Sequence, residues 1–150
     1  MRRIKMITLL FVVAICCSTM NSFAQPQDVL VDMCASKAGD DATYLKDFVV
    51  ELAAAGPGEK APIAKFSMVL SKGTLYRLSV CNAEDSQGDG IIKLFDTAKQ
   101  IGSNYIESTG QMFEAFDFQC DKTGVYHVFI SFKEGKSGSA IGILSFIKKL

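Results

Sequence analysis

The stretch FQCDKTGVYHVFISF, residues 118–132, holds the chain's only histidine, a cysteine and four further aromatic side chains. A histidine becomes catalytic when a nucleophile and an acid converge on its ring. No G-x-S-x-G elbow or comparable motif supplies a nucleophile here. Period-two parity places Tyr126, Val128, Ile130 and Phe132 on one strand face, and Val125, His127, Phe129 and Ser131 on the other. His127 is therefore read as an outward-facing strand residue with a structural role.

A second candidate chemistry lies in EDSQGDG, where Glu84, Asp85 and Asp89 fall within six residues beside two glycines. Calcium takes several oxygen ligands on a flexible loop, so these carboxylates are a possible calcium site, with Asp40 and Asp41 joining only if the fold brings them near. The spacing is not that of an EF-hand, and acidic residues with glycine also make an ordinary solvated turn, which is the favoured reading. No other cofactor is implied.

Cysteine offers a third. Beyond the leader described below stand Cys34, Cys81 and Cys120, an odd number. Their spacing is not that of a zinc site, and one histidine cannot complete such a cluster. Cys81 and Cys120 both end strands, so a disulfide between them is expected, leaving Cys34 unpaired. Parity opposes it: Cys81 is in phase with Arg77 and Ser79, Cys120 with Phe116 and Phe118, so the pairing needs a bulge. Lastly, Tyr44, Tyr105, Phe113 and Phe129 are candidate ligand-binding aromatics if they line one exposed strip. The competing reading is that they belong to the core, among eleven phenylalanines and no tryptophan.

The elements that must position these groups follow from the whole chain. Arg2, Arg3 and Lys5 precede an apolar run from Ile7 to Cys17, and Ser22 and Ala24 fit a small-x-small cleavage site. Residues 1–24 are read as a signal peptide, the chain as exported to the periplasm or medium. Lipidation at Cys16 or Cys17 is the rival, disfavoured because Ile15 and Cys16 precede them. The run is short of the ~20 residues that span a bilayer, so no membrane span is expected after cleavage. Of 16 Lys and Arg, three lie in residues 1–24, so 13 remain against 16 Asp and Glu, a formal charge of −3. A chain without a basic cluster beyond its terminal FIKKL has no electrostatic footing for nucleic acid. Its length suits one domain with a real core.

Residues 25–43 form an N-terminal segment with a short helix over VLVDMCASKA, and residues 44–150 the main domain. Tyr44, Phe48, Val50 and Leu52 share a phase that Lys46 interrupts, and AAAGPGEKAP is a loop. Phe66, Met68 and Leu70, then Tyr76, Leu78 and Val80, alternate around Ser71-Lys72-Gly73 and are read as a hairpin. IIKLFD and IGSNYIES flank TAKQ as a second hairpin. MFEAFDFQC and GVYHVFISF flank Asp121-Lys122-Thr123-Gly124 as a third, and GSAIGILSFI closes the chain. About eight strands at this spacing predict an all-β, antiparallel β-sandwich of jelly-roll type.

On Gly73-Thr74 with Tyr76, Leu94 with Asp96, and Thr123-Gly124 with Tyr126, residues 64–147 resemble the bacterial pre-peptidase C-terminal domain family. They also resemble small secreted proteins of Bacteroidota-type bacteria, whose leaders end near FAQ. The resemblance implies a jelly-roll-like sandwich appended to secreted enzymes. The expected function is a non-catalytic binding or accessory module of the cell envelope, with a glycan or a protein surface as partner. Two other classes are weighed beside it. One is a structural or adhesive subunit assembling through strand edges. The other is a small hydrolase using carboxylates such as Asp89, Asp96 or Glu107. Oligomeric state is not legible.

Overall fold

The computed structural model describes residues 27–150. The proposed leader, its cleavage site, and Cys16 and Cys17 lie outside the described residues. The elements in chain order are helix α1 (Gln27–Ser36), β1 (Thr43–Leu52), β2 (Ala64–Leu70), β3 (Thr74–Asn82), β4 (Gly90–Asp96) and β5 (Lys99–Ser103). A ribbon of β6 (Tyr105–Ile106) and β7 (Gln111–Met112) follows, then β8 (Ala115–Cys120), β9 (Gly124–Phe132) and β10 (Gly138–Lys149). One sheet runs β1-β10-β3-β8 and the other β2-β9-β4-β5, with every pairing antiparallel.

The chain alternates between the two sheets at almost every step, which is the winding of an eight-stranded jelly roll. The expected class is therefore found, and the β6–β7 ribbon is an addition to it. Two of the three expected hairpins are not hairpins. β2 pairs with β9 and β3 with β10 and β8, while β8 and β9 lie in opposite sheets. Only β4 and β5 form the hairpin expected of them.

Both misread turns are corners between the sheets, and they are bonded to each other. Lys72 N–H donates to Thr123 Oγ1 at 2.8 Å, and Gly73 N–H donates to the Cys120 carbonyl at 2.8 Å. Gly73 sits at φ +72°, a conformation that costs a residue with a Cβ. Each corner is also held by a tyrosine a few residues on. Ser71 N–H donates to the Tyr76 hydroxyl at 3.1 Å, and the Tyr126 hydroxyl donates to the Lys122 carbonyl at 2.7 Å. The Gly-Thr-x-Tyr and Thr-Gly-x-Tyr motifs thus have a mechanical meaning: they turn a strand from one sheet into the other.

Inward-facing residues follow the expected parity. Met68 and Leu70, Tyr76 and Leu78, Ile92 and Leu94, and Tyr126 through Phe132 on alternate positions are buried between the sheets. Phe48 comes in from β1 over Gly142, where a Cβ would meet Ile130, Ile92 and Phe48 itself. Strand β10 departs from alternation: Ala140 through Ser145 are all buried. Its second face is covered by α1, whose Leu30, Val31 and Cys34 pack on Ile141 and Ile143. That is why AIGIL reads as a continuous apolar run.

Burial, and then the neighbouring Cys120, pushes the Tyr126 hydroxyl up to about 12. A raised folded-state value gives stability that is complete below pH 10, the ordinary tyrosine value, and is lost as pH rises towards 12. Thermal midpoints of Tyr126→Phe should accordingly fall less between pH 10 and 12 than those of the parent, Tyr44 keeping a share of the decline. An identical decline in both would remove Tyr126 as its source.

Candidate binding groove

The site begins with how α1 is fastened. Cys34 and Cys81 are disulfide-bonded, their Cα atoms 5.9 Å apart, and Cys120 is a buried free thiol. This corrects the expected Cys81–Cys120 pairing. Cys81 stands opposite Ile141 on the helix-covered face, whereas Cys120 stands opposite Thr74 at the other end of β3. Seven residues of strand separate those positions by roughly 20 Å, far beyond disulfide reach. The parity objection was physically correct, and no bulge repairs it.

Arg77 supplies the second fastening. Its Nε donates to Asp117 Oδ1 at 2.7 Å and its Nη2 to Asp117 Oδ2 at 3.0 Å, a two-pronged contact with β8. Its Nη1 donates to the Ala38 carbonyl and to Asp41 Oδ1, both at 2.8 Å. The Asp117 contact first, then Asp41, holds the guanidinium firmly in its charged form. Arg77 thereby ties the segment after α1 to the middle of the first sheet.

At the far end of β3 the ribbon is attached through one buried side chain. Asn104 is 1% exposed. Its Oδ1 accepts from Ile92 N–H at 2.9 Å, and its Nδ2 donates to the carbonyls of Gly90 at 3.1 Å and Phe113 at 3.2 Å. The backbone joins in, Phe113 N–H donating to the Asn104 carbonyl at 2.8 Å. One asparagine thus satisfies both ribbon and strand where no ladder joins them.

Between ribbon, disulfide and the adjoining ends of β3 and β4 opens a groove of about 330 Å³. That is within the range of small-molecule sites. Phe113, 43% exposed, and Met112 give it an apolar wall. Asn82, Asp89, Glu114 and Lys37 give it hydrogen-bonding groups of both kinds. Gly90 lets β4 pass close to β3: a Cβ there would meet Asn82 Oδ1 at 2.8 Å and Val80 Cγ2 at 2.9 Å. An aromatic face rimmed by amides, carboxylates and an ammonium can stack a ring and hydrogen-bond its hydroxyls.

The expected site residues scatter. Asp89 lines this groove, while Asp85 lines a separate depression with Glu51 and Ser137. Asp41 is committed to Arg77. Among the described residues no three His, Cys, Asp or Glu side chains gather as metal ligands, and Asp85 and Asp89 open on different depressions. The aromatic strip is not continuous either. Phe113 is in the groove and Tyr105 lies on the same ribbon under Lys133 Nζ, but Tyr44 is on edge strand β1 and Phe129 on the outer face of the other sheet. Asp96 ends β4 far from Asp89, and Glu107 is ion-paired to Lys93 at 2.7 Å. The three carboxylates of the hydrolase reading therefore do not converge. His127 is half-buried on the outer face, its Nδ1 2.9 Å from Ser67 Oγ.

Asn104, Arg77, Asn82 and Glu114 were not anticipated. Nothing in GSNYIES marks one asparagine as a staple, and the partnership of Arg77 with Asp117 depends on a strand register that local spacing does not encode. No protein-family model matches the chain, and no curated protein matches it. Among the described residues no helix is long and apolar enough to cross a membrane.

Proposed function

We propose that the chain is an exported, non-catalytic binding module whose groove holds a hydroxyl-rich ligand, a glycan of the cell envelope or medium. The observation that carries this reading is the groove itself: an exposed Phe113 beside Asn82, Asp89 and Glu114, on strands tied down by a disulfide and by Asn104. Sugars present apolar ring faces and ranks of hydroxyls, which match an aromatic platform rimmed by donors and acceptors. The Cys34–Cys81 bond supports the export half, since such bonds persist in oxidising compartments. The basic, apolar, small-residue leader supports it independently. The likeness to pre-peptidase C-terminal domains belongs to the same proposal and rests on Gly73-Thr74 with Tyr76, Leu94 with Asp96, and Thr123-Gly124 with Tyr126.

A thermal-shift screen of the purified protein against neutral oligosaccharides tests it. A ligand at about 100 times its Kd stabilises the native state by about 2.7 kcal/mol. One saccharide class should raise the midpoint, and Phe113→Ala should weaken that response about tenfold. Turnover of the saccharide, abolished by Asp89→Asn or Glu114→Gln, would overturn the non-catalytic reading. A screen without any shift would overturn the glycan.

A further inference from the structure

The one α-helix among the described residues packs on the first sheet, and the outer face of the second sheet has no helix of the described residues over it. Strand register arranges its side chains in rows across the strands. Lys65 on β2 stands opposite Phe129 on β9, which stands opposite Lys93 on β4. In the next row Ser67 stands opposite His127 and His127 opposite Phe95. In the third, Val69 and Val125 are paired, 69% and 53% exposed.

We propose that this face is a second binding site, and that its ligand is an acidic polysaccharide lying across β2, β9 and β4. The choice of a polysaccharide rests on the export half of the reading above; the site itself is independent of the groove. Three observations carry it. The rings of Phe95 and Phe129 pack against each other at 4.6 Å between centroids and 33° between planes, both partly exposed, making an aromatic pair on the outer face of the sheet. Lysines flank it on both sides, roughly 10 Å apart across two strand spacings, with Lys65 Nζ 5.1 Å from the Phe129 centroid. Finally, the residues that register places on this face of β2, β9 and β4 include Lys65 and Lys93 and no acid, and the carboxylate that reaches it is Glu107, paired to Lys93. Stacked sugar rings with carboxylate or sulfate groups complement that arrangement in shape and charge.

Glu107 behaves as an internal competitor. Its carboxylate, held below the usual range by Lys93, occupies the ammonium that a ligand anion would take. This gives a signature of unusual sign. Binding by the full chain would be measured calorimetrically with polygalacturonate, hyaluronate and chondroitin sulfate. Fully methyl-esterified polygalacturonate serves as the uncharged control, with anionic phosphatidylglycerol vesicles and single-stranded DNA as rival anions. At least one acidic polymer should bind, weakening as salt rises, and the ester should not. Lys65→Ala and Phe129→Ala should each weaken binding about tenfold, whereas Glu107→Gln should strengthen it about threefold. Circular dichroism establishes that each variant is folded. No binding to any of the three polymers, equal binding to the ester, or indifference to Lys65→Ala would overturn the proposal. Vesicles or DNA binding more tightly than the polymers, with the same dependence on Lys65 and Phe129, would overturn it as well.

Discussion

Cys34→Ala lowers the thermal midpoint by roughly 12–20 °C. The bond closes a loop with a sequence separation of 47, and restricting a loop of that length in the unfolded chain is worth ~4 kcal/mol. At this chain size each kcal/mol moves the midpoint by roughly 3–5 °C. The native side adds to the loss, because Leu30 and Val31 cover Ile141 and Ile143 only while α1 stays in place. Cys81→Ala should match it, and the double replacement should be no worse than either single one, since both remove the same bond. Cys120→Ser is a different perturbation: it puts a hydroxyl at a fully buried corner beside Tyr126 without touching the loop. Midpoints by scanning calorimetry, with and without reductant, decide the matter. A Cys34→Ala shift below about 3 °C would mean that the bridge does not hold the helix, and the oxidising compartment would lose its structural support.

Asn104→Ala is expected to cost about 3 kcal/mol and to abolish groove binding. The substitution leaves the Ile92 N–H and the carbonyls of Gly90 and Phe113 without the partners they have in the native protein, at about 1–3 kcal/mol for each group that stays dry. Water entering the opened space offsets part of that sum. The ribbon is then held to β4 by the backbone bonds of residue 104 alone, which loosens the placement of Met112 and Phe113 along the groove. Asn104→Asp is the sharper comparison, because the shape is kept while the two donated bonds are lost. A buried carboxylate would face two carbonyl oxygens, so at neutral pH it should be no more stable than the alanine variant. Urea unfolding measures both. An Asn104→Asp protein as stable as the parent would show that the ribbon is held by something other than this side chain.

The jelly roll was legible because its inward residues alternate so regularly. Tyr126, Val128, Ile130 and Phe132 are buried as parity requires, and His127 stands on the opposite face. Strand partners were not legible. Ser71-Lys72-Gly73 and Asp121-Lys122-Thr123-Gly124 carry ordinary turn chemistry, and a turn sequence does not state whether the next strand continues in the same sheet or crosses to the other. In a jelly roll most connections cross, so reading them as hairpins fails at the two corners and holds at β4–β5. The helix over VLVDMCASKA was readable, but not what it does. Its cover explains the unbroken burial of β10, and its Cys34 takes the partner that had been given to Cys120.

Of the groove, the sequence marks Phe113 as a candidate ligand-binding aromatic and Asp89 as a possible calcium ligand, and it does not mark Asn104 or Glu114. A site built where a ribbon meets two strand ends depends on pairings between distant residues, which composition and period do not encode. The opening stretch is largely wall: its inner face fills the core. Its outer face, with Phe129 between two lysines, is the part that the first proposal leaves without a role.

The most direct measurement is an amide chemical-shift titration of the folded protein with the neutral saccharide that gives the largest thermal shift. The account predicts saturable shifts concentrated at Asn82, Gly90, Phe113 and Glu114, around the groove and the ribbon that closes it. Shifts clustered elsewhere on the two sheets, or none at saturating ligand, would contradict it.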